Sequence, residues 1–339
     1  MQDSSSNADD PRLDALRTWL AAQFPGKALT LAPASADASF RRYFRVGFCD
    51  GTRIVMDAPP GREDTAPFIR VAALMRECGL HVPEVIAADT AQGFLLLSDL
   101  GATTYLSAIN EVNADALFSD AIGALIAWQR ASRPGVLPPY DRALLQRELD
   151  LFPEWYAGRH LGVNLGDAQR AALTRIEQQL IDSALAQPQV YVHRDYMPRN
   201  LMLSTPNPGV LDFQDAVYGP VAYDLASLFR DAFISWPEPR VIDWVARYWE
   251  QAKRADIPVD ADFGEFYRAF EWMGLQRHLK VLGIFARIRY RDGKPAYLED
   301  APRFLRYARE VAARYGALSP LLPLLDELEQ RRPQVGYTF

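Results

Sequence analysis

Two short apolar segments that run into acidic and amide residues constrain this chain more than any other feature of its sequence. Residues 189–192 lead into His193 and Asp195, and Asn200 follows five residues after Asp195. The second apolar segment contains Asp212, twelve residues beyond Asn200. We expect both segments to be strands whose ends are neighbours, so that these polar side chains face one cleft.

Asp195, Asn200 and Asp212 are the groups that phosphoryl transfer requires. One carboxylate can accept or orient the proton of an acceptor hydroxyl, while an amide oxygen and a second carboxylate hold Mg²⁺ on phosphate oxygens. No cluster of Cys and His at zinc spacing competes with this interpretation. The alternative, in which these residues only cap turns, is disfavoured by their combination over so short a stretch.

The sequence changes from strand-like to helical near residue 100. Segments 40–48 and 52–57 favour strands, and Asp50-Gly51 between them is typical of a hairpin turn. Helical spacing dominates after Gly101. Strands followed by helices predict an α+β fold in two lobes. We expect a disordered tail over residues 1–9, a β-rich lobe over 10–100 and a mostly helical lobe over 101–339.

Composition excludes several classes of partner. The formal net charge of -6 argues against nucleic acid, which needs clustered Lys and Arg. No apolar run approaches the roughly 20 residues that span a bilayer. Two cysteines indicate a reducing compartment, so we expect a cytoplasmic protein. The oligomeric state has no signature in the sequence.

The chain resembles the aminoglycoside phosphotransferase and choline-kinase-like group of small-molecule kinases, from about residue 13 to 325. The resemblance implies a protein-kinase-like fold, with ATP and Mg²⁺ as cofactors. It implies that Asp195 is the catalytic base and that Asn200 and Asp212 bind the metal. Asp224, in a Tyr-Asp-Leu-Ala segment, would brace the loop together with His193.

The residues expected to bind the nucleotide differ in part from the pattern of this family. Segment 95–100 looks like the hinge between lobes, so Leu97 and Asp99 are expected at the adenine. Protein-kinase-like enzymes carry a lysine on the third strand, but the matching positions here are Met56 and Asp57. No lysine lies between residues 28 and 252. Another cation must therefore neutralise the phosphates, or the protein is not a kinase.

The stretch 39–45, where the phosphate-covering hairpin is expected, offers replacements for the missing lysine. Arg41 and Arg42 could supply the charge as planar forks, although successive strand residues point to opposite faces, so at most one can face the nucleotide. Ser39 could donate to a phosphate through its backbone or hydroxyl. We expect these three residues to bind the nucleotide.

Further similarity indicates which class of molecule accepts the phosphoryl group. Residues 38–45 and 55–60 look like those of the bacterial branch that phosphorylates amino sugars at the anomeric hydroxyl. This implies N-acetylmuramate and N-acetylglucosamine as acceptors, and a role in peptidoglycan recycling. The residues expected at the sugar follow the metal-binding Asp or lie on the helix that begins near residue 262: Gln214, Asp215, Glu271, Gln276 and Arg277.

Two alternatives keep the fold and change the function. The acceptor could instead be an aminoglycoside, choline, homoserine or a ketosamine. The missing lysine is compatible with a nucleotide-binding pseudokinase, although the presence of Asp195, Asn200 and Asp212 opposes that reading.

Overall fold

The computed structural model describes residues 10–36, 40–48 and 51–330. The chain divides into two compact units, Met1–Glu77 with Val82–Gly101 and Cys78–His81 with Ala102–Phe339. The first unit is built on an antiparallel sheet and the second is mostly helical, so the predicted α+β fold is confirmed. No helix in the described part of the chain is long and apolar enough to cross a membrane.

The first unit is a five-stranded antiparallel sheet with two helices. The strand order is β1-β2-β3-β5-β4. The elements are α1 Pro11–Gln23, β1 Thr30–Ala36, β2 Arg42–Phe48, β3 Gly51–Asp57, α2 Ala66–Glu77, β4 Val85–Asp89 and β5 Phe94–Ser98. The predicted pairing of the strands around the hairpin is confirmed, because Phe48 pairs with Gly51 and Arg42 with Asp57.

Helix α1 begins at Pro11 and is capped by Asp10. The Asp10 side chain accepts hydrogen bonds from the backbone N–H groups of Arg12 and Leu13, both at 3.1 Å, and Pro11 occupies the first helical position. Apolar residues at helical spacing then pack on the sheet. Leu16 and Leu20 are buried in one cluster with strand residues Val46, Val55 and Leu96.

The second unit contains nine α-helices in its described residues, interrupted by short hairpin strands. The helices are α3 Tyr105–Ala108, α4 Ala114–Arg130, α5 Arg142–Leu149, α6 Asp167–Ala186, α7 Tyr223–Phe229, α8 Glu238–Arg254, α9 Phe263–Asp292, α10 Ala301–Arg314 and α11 Leu322–Gln330. A π-helical segment covers Phe152–His160, and 3₁₀ turns cover Pro198–Asn200, Pro295–Asp300 and Ser319–Leu321. The central helix α9 ends at Gly293, which has a left-handed φ of 69°.

The second unit also contains four short strands in its described residues. They are β6 Gln189–Val192, β7 Leu201–Met202, β8 Gly209–Val210 and β9 Val217–Pro220. Strand β6 pairs with β9, and β8 pairs with β7. The segment ends meet, because Leu211 donates its N–H to the Asn200 carbonyl at 2.9 Å and receives a bond from His193.

Candidate active site

Asp224 fixes the backbone of the loop that follows β6. Its carboxylate accepts the N–H of His193 at 2.7 Å and that of Arg194 at 3.0 Å. Asp224 is fully buried, and burial raises its pKa to about 7 although both hydrogen bonds oppose the shift. Arg194 has a left-handed φ of 76°, an uncommon conformation for a residue with a side chain. The two bonds therefore hold a strained turn directly before Asp195.

His193 joins this loop to the segment that carries Asp212. Burial lowers the pKa of His193 to about 4, so the ring is neutral at pH 7. Its Nδ1 accepts the N–H of Asp195 at 3.2 Å, which leaves Nε2 to donate to the Leu211 carbonyl at 3.0 Å. The ring thus bridges Asp195 and Leu211, the residue that precedes Asp212.

The side chain of Asn200 contacts both of the other residues that are expected to carry out phosphoryl transfer, Asp195 and Asp212. Its side-chain N–H₂ donates to the Asp195 carbonyl at 2.9 Å and lies 3.4 Å from Oδ2 of Asp212. With the nitrogen used in this way, the amide oxygen is the atom available to a cation. Asp212 also has a left-handed φ, 63°, and its Oδ1 accepts a 2.8 Å hydrogen bond from Gln214.

The residues present fit the magnesium ion that the family implies. Mg²⁺ keeps several waters and usually takes only one or two carboxylates together with substrate phosphates. Asp212 supplies one such carboxylate, and the amide oxygen of Asn200 supplies a second hard oxygen donor. Among the described residues, no group of three or more His, Cys, Asp or Glu side chains forms a dedicated metal cage. A site completed by nucleotide phosphates accords with this donor set.

A buried charge network that the sequence analysis missed lies behind the loop. Glu148 on α5 binds Arg194 at 2.5 Å and Lys280 on α9 at 2.9 Å, and it accepts hydrogen bonds from Tyr140 and Gln276. Burial would raise the pKa of Glu148, but the two cations lower it to about 2. Because these partners lie up to 132 residues from Glu148 along the chain, no local pattern could have revealed them.

The residues that were expected to bind the acceptor sugar occupy different environments. Gln276 belongs to the buried network around Glu148, and Glu271 is buried with its oxygens bound to Arg314 and, at 2.6 Å, to the Tyr315 hydroxyl. Gln214 and Asp215 remain next to Asp212, with 3.4 Å between their side chains. Arg277 is only 2% exposed. The structure thus brings Gln214 and Asp215, but not Glu271, into contact with the catalytic segment.

The arginines expected at the nucleotide are paired with acids. Arg42 binds both Asp57 and Asp10, and Arg41 lies 3.7 Å from Glu63. Asp57, one of the two residues at which the lysine was expected, is completely buried between Arg42 and Arg12. Ser39 lies outside the described residues.

The expected hinge residues lie at the end of strand β5. Leu97 is buried and paired in the sheet, where Ile54 of β3 and Val85 of β4 lie opposite it. The Asp99 carboxylate accepts hydrogen bonds from Arg45 at 2.6 Å and Thr52 at 2.7 Å. Its side chain is therefore engaged within the first unit, which leaves the main chain as the part that could read a nucleotide base.

Comparison with known sequences identifies extensive similarity. The profile of the phosphotransferase enzyme family matches residues 30–263. A protein of Pseudomonas putida named N-acetylmuramate/N-acetylglucosamine kinase is 56% identical over 330 residues, which cover 94% of this chain and 97% of that protein. A Pseudomonas aeruginosa protein of the same name is 54% identical over 333 residues, 95% of this chain and 98% of its own.

Solved structures share the fold at much lower identity. The choline kinase LicA from Streptococcus pneumoniae superposes with a TM-score of 0.61 at 13% identity, covering 90% of this chain and 100% of that chain. An ADP-bound aminoglycoside phosphotransferase gives a TM-score of 0.58 at 15% identity, covering 88% and 98%. At this identity the likeness is one of fold.

Proposed function

Because the chain belongs to the phosphotransferase enzyme family, we propose that it transfers the γ-phosphoryl group of ATP to the anomeric hydroxyl of N-acetylmuramate and N-acetylglucosamine. The observation that carries this proposal is the likeness, over nearly the whole chain, to kinases named for these two sugars. The products are ADP and a sugar 1-phosphate. We place the reaction in the cytoplasm and in the recycling of cell-wall sugars.

The arrangement of the loop supports a direct transfer. The C1 oxygen attacks the γ-phosphorus, the bond from that phosphorus to the β-phosphate oxygen breaks, and Asp195 accepts the hydroxyl proton. An anomeric hydroxyl is more acidic than an ordinary alcohol, so a carboxylate is an adequate base. Asp224 and His193 hold Asp195 in place, and positioning of this kind supplies much of the lowering of the barrier.

Asn200 and Asp212 would hold Mg²⁺, which supplies positive charge at the phosphate oxygens. Residues 10–100 form the nucleotide-covering lobe in this proposal, with the main chain near Leu97 and Asp99 reading the adenine. Residues 101–339 carry the catalytic loop and the sugar. The presence of Asp195, Asn200 and Asp212 favours this enzyme over a nucleotide-binding pseudokinase.

A panel of acceptors tests the proposal. The purified protein is incubated with ATP, Mg²⁺ and, separately, N-acetylmuramate, N-acetylglucosamine, an aminoglycoside, choline, homoserine and a ketosamine. Release of ADP is followed, and the products are examined by phosphorus NMR. We expect turnover with the two acetamido sugars. Turnover of only the other acceptors, or of none, contradicts the proposed function.

A further inference from the structure

A buried lysine lies behind the catalytic loop and contacts residues that support this loop. Lys280 is on helix α9 and is only 7% exposed, whereas the charged ends of lysine side chains normally lie in water. Its ammonium lies 2.9 Å from Oε1 of Glu148 and donates a 2.9 Å hydrogen bond to the hydroxyl of Tyr223. A charge this deep in the protein costs free energy unless it is paired, so these two contacts stabilise it there.

Glu148 provides the first support of the loop and connects it to Lys280. The oxygen that contacts the ammonium, Oε1, also accepts Nη2 of Arg194 at 2.5 Å, and Arg194 directly precedes Asp195. The other oxygen accepts the hydroxyl of Tyr140. Donors on both oxygens fix the orientation of the carboxylate, and the guanidinium of Arg194 is held with it.

Tyr223 leads to the second support of the loop. It directly precedes Asp224, whose carboxylate accepts the backbone N–H groups of His193 and Arg194. Tyr223 is fully buried, and among the described residues its hydroxyl forms a hydrogen bond only with Lys280. The ammonium therefore fixes the end of the side chain that directly precedes Asp224.

The two supports meet in one closed cluster of side chains. The rings of Tyr223 and Tyr140 pack edge to face, with 5.3 Å between their centroids. The guanidinium carbon of Arg194 lies 5.7 Å from the centroid of the Tyr140 ring. Lys280 contacts the cluster at both Glu148 and Tyr223, so it lies where the two supports join.

The ammonium keeps its charge at neutral pH. Burial alone would lower the pKa of Lys280, but the carboxylate of Glu148 raises it above its usual value. Arg194 carries a second positive charge, so Glu148 lies between two cations. A neutral side chain in place of Lys280 would leave Glu148 with one cation and would remove the donor to Tyr223.

The left-handed φ of Arg194 makes the loop sensitive to these contacts. A backbone conformation that is unfavourable for a residue with a side chain persists only when the surrounding structure holds it. We propose that Lys280 is a positioning residue for phosphoryl transfer, which acts on Asp195 through the two supports of its loop. This inference rests on the proposed function, because it takes Asp195 as the base that accepts the hydroxyl proton.

The competing explanation is that Lys280 contributes to stability alone, as a buried ion pair can. Catalysis separates the two, because misplacement of a reacting group by about 1 Å can cost about a hundredfold in rate. In Lys280→Met, which keeps the length of the side chain without its charge, we expect kcat for N-acetylglucosamine to fall at least about tenfold. The dissociation constant for ATP should stay within about twofold of the wild-type value.

A double-mutant cycle tests whether the effect passes through Asp195. If Lys280 acts by positioning this carboxylate, a protein that lacks the carboxylate has nothing left to position. In the Asp195→Asn background, we expect Lys280→Met to change the residual rate, measured by single turnover, by less than about twofold. An equal fall in rate in both backgrounds overturns the proposal.

A milder variant removes one hydroxyl from the cluster. Tyr223→Phe loses the acceptor of the Lys280 hydrogen bond, and we expect kcat to fall about threefold or more. Tyr307→Phe on α10 is the matched control, because it loses a hydroxyl that is bonded to Ser235 at 2.7 Å, and its kcat should be unchanged. Thermal unfolding checks that each variant is folded. If Lys280→Met does not fold, Tyr223→Phe decides, and wild-type kcat in it overturns the proposal.

Hydrogen exchange gives a readout that needs no substrate. In folded Lys280→Met, we expect the backbone N–H groups of His193 and Arg194 to exchange faster, while those of α10 keep their wild-type rates. Unchanged exchange at the loop overturns the proposal. If no sugar is turned over, the proposed function fails, and faster exchange at the loop still supports the positioning role. Wild-type turnover in Asp195→Asn overturns both proposals.

Discussion

Arg42 and Asp57 face each other across neighbouring strands and form an ion pair, and Asp57 is one of the two residues, with Met56, at which the sequence predicts the lysine of a protein-kinase-like lobe. Arg42 donates to Asp57 at 2.6 Å from the directly paired position on β2, and Arg12 binds the other carboxylate oxygen from α1. Asp57 thus ties helix α1 to the sheet. At Asp57, the side chain therefore serves the packing of the first unit, through its ion pairs with Arg12 and Arg42.

Restoring the lysine should therefore destabilise the protein. Asp57→Lys places a third positive charge between Arg12 and Arg42 in a position with no exposure to solvent. We expect the free energy of unfolding to fall by at least about 3 kcal/mol, with no gain in kcat. Chemical denaturation and steady-state kinetics measure both. A variant that is as stable as the wild type and has a higher kcat would contradict this account, because it would show that a lysine on this strand can still serve nucleotide binding.

Glu148 should couple stability to pH. Its folded-state pKa of about 2 lies below the ordinary 4.5, so the ionised form stabilises the protein above pH 4.5 and this contribution is lost as the pH falls toward 2. We expect Glu148→Gln to lose about 3 kcal/mol at pH 7 and to unfold with a flatter pH dependence between pH 4.5 and 2. Its kcat should fall because Arg194 loses its partner.

A second buried glutamate provides the control for this experiment. Burial raises the pKa of Glu177 to about 7, so the neutral Gln side chain resembles its preferred state. We expect Glu177→Gln to leave stability at pH 7 equal or higher. Equal losses in both variants would show that Glu148 has no special role in supporting the loop.

Asp195 should be essential for turnover but not for nucleotide binding. In Asp195→Asn the amide keeps the shape of the side chain and cannot accept the hydroxyl proton, so we expect kcat to fall by about 100-fold or more. The dissociation constant for ATP, measured by calorimetry, should change little. A variant with wild-type turnover would contradict the assigned role of the loop.

Gly283 should tolerate no larger residue. A Cβ atom there would overlap the backbone of Leu151, where α9 crosses the start of the π-helical segment. We expect Gly283→Ala to lose about 1–3 kcal/mol of stability, measured by denaturation. Gly123→Ala on α4, where a Cβ meets nothing within 4 Å, should instead gain about 0.5–1 kcal/mol. Similar effects at both positions would contradict the packing described.

The sequence predicted the parts that are local along the chain. His193, Asp195, Asn200 and Asp212 lie within 20 residues, so their spacing carried the interpretation before any tertiary information. Strand β1 was not predicted as a strand, because Pro33 interrupts its pattern and an edge position is what makes a proline tolerable there. The pairing of β6 with β9 joins segments that are separated along the chain, and the periodicity of apolar residues within a segment does not indicate its partner.

The polar groups beyond the loop illustrate the same limit. Gln276 was expected at the sugar because its side chain could bind one, yet it contributes to the Glu148 network. Asp231 was not singled out, since a lone acid after a helix is ordinary in a sequence. In the structure, Asp231 is marked by its burial and by an Oδ2 atom that makes no hydrogen bond with the described residues.

Transfer to the anomeric oxygen is tested most directly by comparing N-acetylglucosamine with its 1-deoxy analogue, which lacks only the C1 hydroxyl. With ATP and Mg²⁺, the account predicts that the natural sugar gives a phosphorus NMR signal coupled to the anomeric proton. The 1-deoxy analogue should give no phosphorylated product. Phosphorylation of the analogue at a similar rate, or a product that carries phosphate at another carbon, would contradict it.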